Sequence, residues 1–206
     1  LSDEKSVLVN GVCPICGYHC PHNTVDETTL SCSDCGAKVV AKVEVEGSEP
    51  TYAFDLASAF QNAVNGTTIK LLANEMLPSG IYASKTLTLD LNGHSLSGYS
   101  LNVGGLTPMS QVRTGKLTVI DSSGGNGAVG VAVRDGGTLV FDPKNDNTTL
   151  LQLEVWGGTV ELYGGKISRS GLRLKNGITL GDLLPQKAGL AYYRDDTQLT
   201  LEEASS

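Results

Sequence analysis

From Thr67 onward, apolar and polar residues alternate in short runs punctuated by glycine and asparagine: "TTIKLL", "KTLTLDLNGHSLSG", "GKLTVIDSSGG", "GTLVFDPKND", "GTVELYGGKIS" and "GITLGDLL". A period of two puts Leu87 and Leu89, Leu117 and Val119, Leu139 and Phe141, and Val160 and Leu162 on one face of a strand, with their neighbours on the other. The leading residues Leu87, Leu117, Leu139, Val160 and Ile178 follow one another at intervals of 30, 22, 21 and 18 residues. Strand units recurring at about 20 residues, with no helical pattern between them long enough for βαβ crossovers, predict stacked coils. The expected fold is mainly β, a short right-handed parallel β-helix of five or six coils. A β-sandwich is the competing arrangement, because antiparallel strands joined by glycine-rich turns give similar local patterns. The repeat length and the helix that precedes it favour the solenoid.

That helix is read from "TYAFDLASAFQNAVNG", where Leu56, Ala59, Phe60, Ala63 and Val64 fall at helical spacing. Asp55 or Thr51 can cap its start, and Asn65-Gly66 can close its end in a left-handed conformation. The pattern predicts about three turns between Phe54 and Val64, placed as a lid on the first open edge of the solenoid, where unpaired strand groups need covering. Before it, "AKVVAKVEVEG" finishes in strict alternation, so Lys42, Glu44 and Glu46 face water on a half-buried strand. Residues 189–206 are expected to add a last coil or to lead into a further domain. The chain divides into a small segment over residues 1–47 and a capping helix plus β-helix over 48–206.

Composition sharpens this picture in two places. Only 5% of the 206 residues are aromatic while 25 are glycine, so the core is aliphatic and the turns are frequent. A formal net charge of −7, with no cluster of Lys and Arg to offset it locally, argues against nucleic acid as a partner. No apolar run approaches the roughly 18 residues of a membrane span, and "LSDEKSVLVNG" lacks the order of a secretory signal. The chain reads as a soluble one.

The candidate chemistry is concentrated between Gly11 and Val39, which hold all five cysteines and two of the three histidines. Two C-x-x-C-G knuckles, Cys13 to Gly17 and Cys32 to Gly36, present paired thiolates on turns that glycine allows to reverse. The knuckles are 19 residues apart, as one short unit written twice would be. Between them Cys20-Pro-His22 completes a four-ligand set, Cys20, His22, Cys32 and Cys35. The rival set is Cys13, Cys16, Cys32 and Cys35. The first is preferred, because in a repeated unit Cys13 and Cys16 belong to an earlier copy, which also accounts for the odd cysteine count. Four protein ligands close the shell of a tetrahedral zinc ion and leave no position for water, so the expected role is a structural Zn2+. A segment of about 30 residues with few large apolar side chains needs such a staple.

Together "CGY-x-C-x-H", "C-x-x-CGA", "AKVEVEG", a Tyr-led helix, "TIKLL" and "TLTLDLNGHSLSG" resemble secreted or wall-attached, adhesin-like repeat proteins of Gram-positive gut bacteria with pectate-lyase-like β-helix modules. About 90 residues carry the resemblance. It implies surface display or secretion, and it implies more about fold than about reaction.

Catalysis on the coils would require outward carboxylates that converge. Asp90, Asp142, Glu154 and Glu161 are the candidates. The predicted register puts Asp90, Ile120, Asp142 and Tyr163 in one column, with the two aspartates two coils apart, about 9 to 10 Å; that is the outer limit for an inverting glycosidase. The simpler expectation is solvated carboxylates at strand ends. Asn92-Gly93-His94 reads as a turn, "GGNG" within Ser122 to Gly127 as a flexible one, and Trp156 with Tyr163, Tyr192 and Tyr193 as core or end-cap packing more than as a sugar platform. The expected function is a non-catalytic adhesion or ligand-presenting module, with host or cell-surface glycans or proteins as partners. The alternative is a polysaccharide-degrading hydrolase or lyase.

Overall fold

The computed structural model describes residues 20, 24–175, 177–178, 192–194 and 197–199. A two-stranded antiparallel hairpin comes first, β1 (Val25–Asp26) and β2 (Ser31–Cys32). Next, β3 (Ala41–Glu44) and β4 (Thr51–Ala53) pair antiparallel, and helix α1 (Leu56–Asn62) follows. The chain then winds into about five coils. The first carries β5 (Thr68–Leu71), β6 (Glu75–Leu77) and β7 (Ile81–Ala83), and the second β8 (Thr86–Asp90), β9 (Leu96–Gly98) and β10 (Leu101–Val103). A short hairpin, β11 (Gly105–Leu106) with β12 (Val112–Arg113), interrupts the winding. The third coil is β13 (Gly115–Ile120) and β14 (Ala128–Val133), the fourth β15 (Gly137–Phe141) and β16 (Thr149–Val155). The fifth holds β17 (Thr159–Leu162), β18 (Lys166–Ile167) and β19 (Leu172–Leu174). Beyond it, β20 (Tyr192–Arg194) pairs antiparallel with β21 (Thr197–Leu199), so this stretch forms a hairpin.

The protein is thus a parallel β-solenoid with two main faces. One sheet stacks β5, β8, β13, β15 and β17 in parallel, the other β7, β10, β14, β16 and then β18 and β19. The register of the first sheet is the one that the spacing predicts: Leu87 pairs with Leu117, Leu117 with Leu139, and Leu139 with Val160. These residues and the inward set Leu89, Val119, Phe141 and Leu162 are buried between the sheets. Ile178 packs against this core but lies outside any strand. In the first coil the leading position is Thr67, fully buried, and its hydroxyl accepts a hydrogen bond from the Val64 amide at 3.0 Å. A buried hydroxyl so paired avoids the desolvation penalty.

The first edge is closed from two sides. Strand β3 runs antiparallel to β5, Val43 facing Ile69, and ends the parallel ladder. Helix α1 packs Leu56, Ala59 and Phe60 into the opening, with the Asp55 carboxylate accepting from the Ser58 amide at 2.7 Å as its N-cap. At seven residues the helix is shorter than the pattern predicts. Ala63 already leaves helical geometry, and Val64, at 51% exposure, lies outside the apolar stripe. Gly66 supplies its positive φ three residues later, in the turn into the first coil.

Candidate functional site

Two regions gather functional groups: the sulfur cluster before the solenoid and the carboxylates along its coils. In the cluster, the β1/β2 hairpin carries Cys32, whose carbonyl accepts from the Gly36 amide at 2.8 Å; Gly36 has φ +71°, the left-handed turn that the knuckle motif calls for. This reversal brings Cys35 back beside Cys32. Cys20 approaches from the preceding stretch, its Sγ 3.6 Å from that of Cys32, and the sulfurs of Cys20, Cys32 and Cys35 all lie within 4.8 Å of one another. Cys20 and Cys32 are buried and Cys35 is partly so. In a tetrahedral site with Zn–S bonds of 2.3 Å, neighbouring sulfurs stand about 3.8 Å apart. The Cys20–Cys32 separation is close to that distance, and the three sulfurs lie near enough together to bind a metal. Cys20, a spectator in the knuckle-only set, is part of this group. His22, Cys13 and Cys16, the other ligands that the sequence offers, lie outside the described residues.

The carboxylates on the coils do not gather. Asp90 ends β8 opposite Ile120, with Lys70 beside it in the first coil. It is 4% exposed, and its Oδ1 accepts from the amides of Asn92 and Ser122 at 3.0 and 2.9 Å while Lys70 Nζ stands 3.5 Å from Oδ2. It tethers two turns. Asp142 pairs with Lys144, and Glu161 accepts from the Tyr163 hydroxyl at 2.7 Å. Glu154 sits on the other sheet, held by Gln152, Trp156 and Arg173 at 2.7, 3.2 and 2.9 Å. Burial alone pushes its carboxyl up, but those hydrogen bonds and the Arg173 charge outweigh it and hold the group below the usual range. Glu154 is ionised at neutral pH and is not poised to donate a proton.

Asp121 is a residue that the sequence reading passes over. It follows Ile120 and points inward at a corner, in line with Leu91. At 3% exposure its Oδ1 accepts from the Gly93 amide at 2.8 Å and the Ser123 hydroxyl at 2.7 Å. Its Oδ2 accepts from the Gly127 amide at 3.0 Å and the Thr148 hydroxyl at 2.7 Å. One carboxylate thus clips the second, third and fourth coils together. The turn from Ser122 to Gly127, expected to be flexible, is pinned at both ends by it. The signal was an acidic residue at a position where the repeat calls for an apolar one.

The aromatic residues are also redistributed. Trp156 is not core packing: it directly follows β16 at the second sheet and is 42% exposed, whereas Tyr163 directly follows β17 at the first. Other exposed aromatic residues at the second sheet include Tyr82 and Tyr99, which the sequence reading does not single out. The backbones of Tyr192 and Tyr193 lie in β20.

Fold and site define a class, a short parallel β-solenoid preceded by a segment whose three cysteine sulfurs lie close enough to bind a metal. Comparison with protein-family models, curated proteins and solved structures finds no match. No helix among the described residues is long and apolar enough to cross a membrane.

Proposed function

We propose that this chain is a non-catalytic, ligand-presenting module of a bacterial secreted or surface protein, with a structural zinc ion stapling its first segment. The observation that carries the reading is the dispersion of the carboxylates. Asp90 is committed to turn amides and Lys70, Asp142 to Lys144, and Ile120 separates them in the ladder. A glycoside hydrolase needs two such groups facing one bond. What the solenoid offers instead is a rigid outer surface of regularly spaced side chains, suited to adhesion to glycans or proteins on another cell. Its test is binding of the purified protein to a glycan array and to host cells, run beside a reducing-end assay on polysaccharides. Retention on defined glycans or cells with no new reducing ends is the expected result. Release of reducing ends that stops in Asp90→Asn or Asp142→Asn would replace this reading with the enzymatic one.

Zinc is supported by the soft thiolate set and by the sulfur spacing. Cys20, Cys32 and Cys35 would hold it with His22 as the fourth ligand. The ion would neutralise the thiolates and lock the β1/β2 hairpin to the stretch that carries Cys20. Elemental analysis of reduced protein is expected to give one zinc per chain, lost in Cys20→Ser/His22→Ala and kept in Cys13→Ser/Cys16→Ser. Acidification should release it, because binding requires deprotonated thiols. Loss of zinc only in the second variant would move the site to the two knuckles.

A further inference from the structure

The outer face of the second sheet has an uneven relief that follows from its register. Tyr82, Asn102, Ala132, Glu154 and Arg173 form one outward column, coil by coil. Beside it the second coil presents small residues on both sides, Ser100 and Gly104, and the third presents Gly130 on one side and Arg134 on the other. The flanking coils present large ones, Tyr82 in the first and Gln152, Glu154 and Trp156 in the fourth. Small residues between large ones make a trough along the strands. Tyr82 and Trp156 stand on rungs three apart, about 14 Å across the strands, with Trp156 two residues further along its strand.

Two adjoining hollows occupy this trough and share Arg134 in their walls. One, of about 410 Å³, lies between Tyr82 and Trp156 beside Gly105, Leu106 and Asp135. The other, of about 250 Å³, reaches Tyr99, Asn102 and Glu154. Both are open to solvent, and each combines an aromatic flank with polar groups of the kind that orient a ligand.

Charge selects the occupant. Although the chain carries −7 overall, the hollows and the side chains packed on their lining hold Arg113, Arg134 and Arg173 against Asp135 and Glu154. Glu154 is taken by Arg173 at 2.9 Å. Arg113 lies over the Tyr82 ring, 4.1 Å from its centroid. Among the described residues neither Arg113 nor Arg134 has a carboxylate within ion-pair distance. A planar guanidinium left open beside aromatic faces matches a carboxylate borne on a ring whose other face is C–H.

We infer that the trough between Tyr82 and Trp156 binds an acidic oligosaccharide, with Trp156 stacking on a sugar ring and Arg134 pairing with its carboxylate. The inference rests on the ligand-presenting reading above and gives it a place and a chemistry. Uronates and sialic acids share that chemistry, so trigalacturonate and 3′-sialyllactose are the two probes, with lactose as the uncharged control. Trp156 is the single tryptophan of the chain, so its emission reports on the trough directly. A saturable change is expected with at least one acidic probe below about 10 mM, and binding of lactose at least about tenfold weaker. In Arg134→Glu the affinity should fall at least about tenfold at an unchanged melting temperature. Calorimetry on Trp156→Leu should show a comparable loss. The inference is overturned by no saturable change with either acidic probe, by equal binding of lactose, or by undiminished affinity in the two variants. Tighter binding of a polyglutamate peptide would also overturn it, in favour of a protein partner. If the glycan array is positive and the trough variants bind normally, this assignment fails while the presenting role stands; if nothing is retained on array or cells, the presenting role itself fails.

Discussion

Replacing Asp121 with alanine is expected to destabilise the protein by about 3 to 5 kcal/mol, because it leaves several buried donors without an acceptor. The Gly93 and Gly127 amides and the Thr148 hydroxyl come from three successive coils and converge on this side chain. Asp121→Asn keeps the volume and one acceptor oxygen but turns an amide group towards donors, and should cost about 2 kcal/mol. The effect has a pH signature. Burial by itself raises the carboxyl, yet the hydrogen bonds from Thr148, Ser123, Gly93 and Gly127 outweigh it, so the group is held below its ordinary value. A carboxyl lowered in the folded state contributes stability that is present above its unfolded value of about 3.9 and fades as pH falls through the folded one. Urea unfolding should therefore separate wild type from Asp121→Asn fully at about pH 7 and much less well in strong acid. An equal gap at both extremes would mean that charge at this corner does not matter.

The second large effect is expected at Gly104, where the chain leaves the second sheet for the hairpin. Its φ is +78°, and a Cβ there would lie 2.4 Å from the Gly137 amide nitrogen and 2.6 Å from the Arg134 carbonyl oxygen. Both atoms are backbone of the turn that joins the third coil to the fourth and cannot swing aside. Left-handed geometry alone costs a residue with a side chain about 1 to 2 kcal/mol. With the collision added, Gly104→Ala should lose more than about 4 kcal/mol or fail to fold. Gly124→Ala separates the two causes: φ there is +84°, with nothing within 4 Å of a Cβ. It should cost no more than the conformational part. Equal losses in the two variants would show that coil-to-coil approach at Gly104 contributes nothing.

The first sheet was legible in the sequence because period-two alternation and spacing name the same residues: the predicted series Leu87, Leu117, Leu139 and Val160 is the observed ladder. The second sheet was equally written, in Ile81, Leu101, Val131, Leu153 and Leu172, at intervals of 20, 30, 22 and 19 residues. In the first four coils each of these residues stands 14 positions after its counterpart in the first sheet, an offset that shows only once the first ladder is fixed. This is why Tyr82 and Trp156 were not seen to share a face. A bulge in β16 adds to the difficulty, shifting the register between Val129 and Gly130 and leaving Leu151 exposed. Asp121 was hidden for another reason: its partners Gly93 and Thr148 are 28 and 27 residues away, and hydrogen bonds between coils leave no periodic trace. The knuckle at Cys32 and Cys35 was legible because the glycine after it dictates its geometry locally.

The 30-residue interval between Leu87 and Leu117 bears on how such a protein can change. The extra residues are spent in the β11/β12 hairpin, yet the ladders on both sheets run past it in register, β8 on β13 and β10 on β14. The scaffold registers such an excursion only as loop-closure entropy, about 0.6 kcal/mol for each doubling of length. Met109, at the exposed tip, makes no demand on the core, while Leu106 and Arg113 at the base of the hairpin face the trough. The tip between Leu106 and Val112 can therefore lengthen, shorten or turn over in sequence while the coils beneath it and the trough-facing base of the hairpin stay fixed, and a foreign peptide grafted there would be displayed without redesign of the fold.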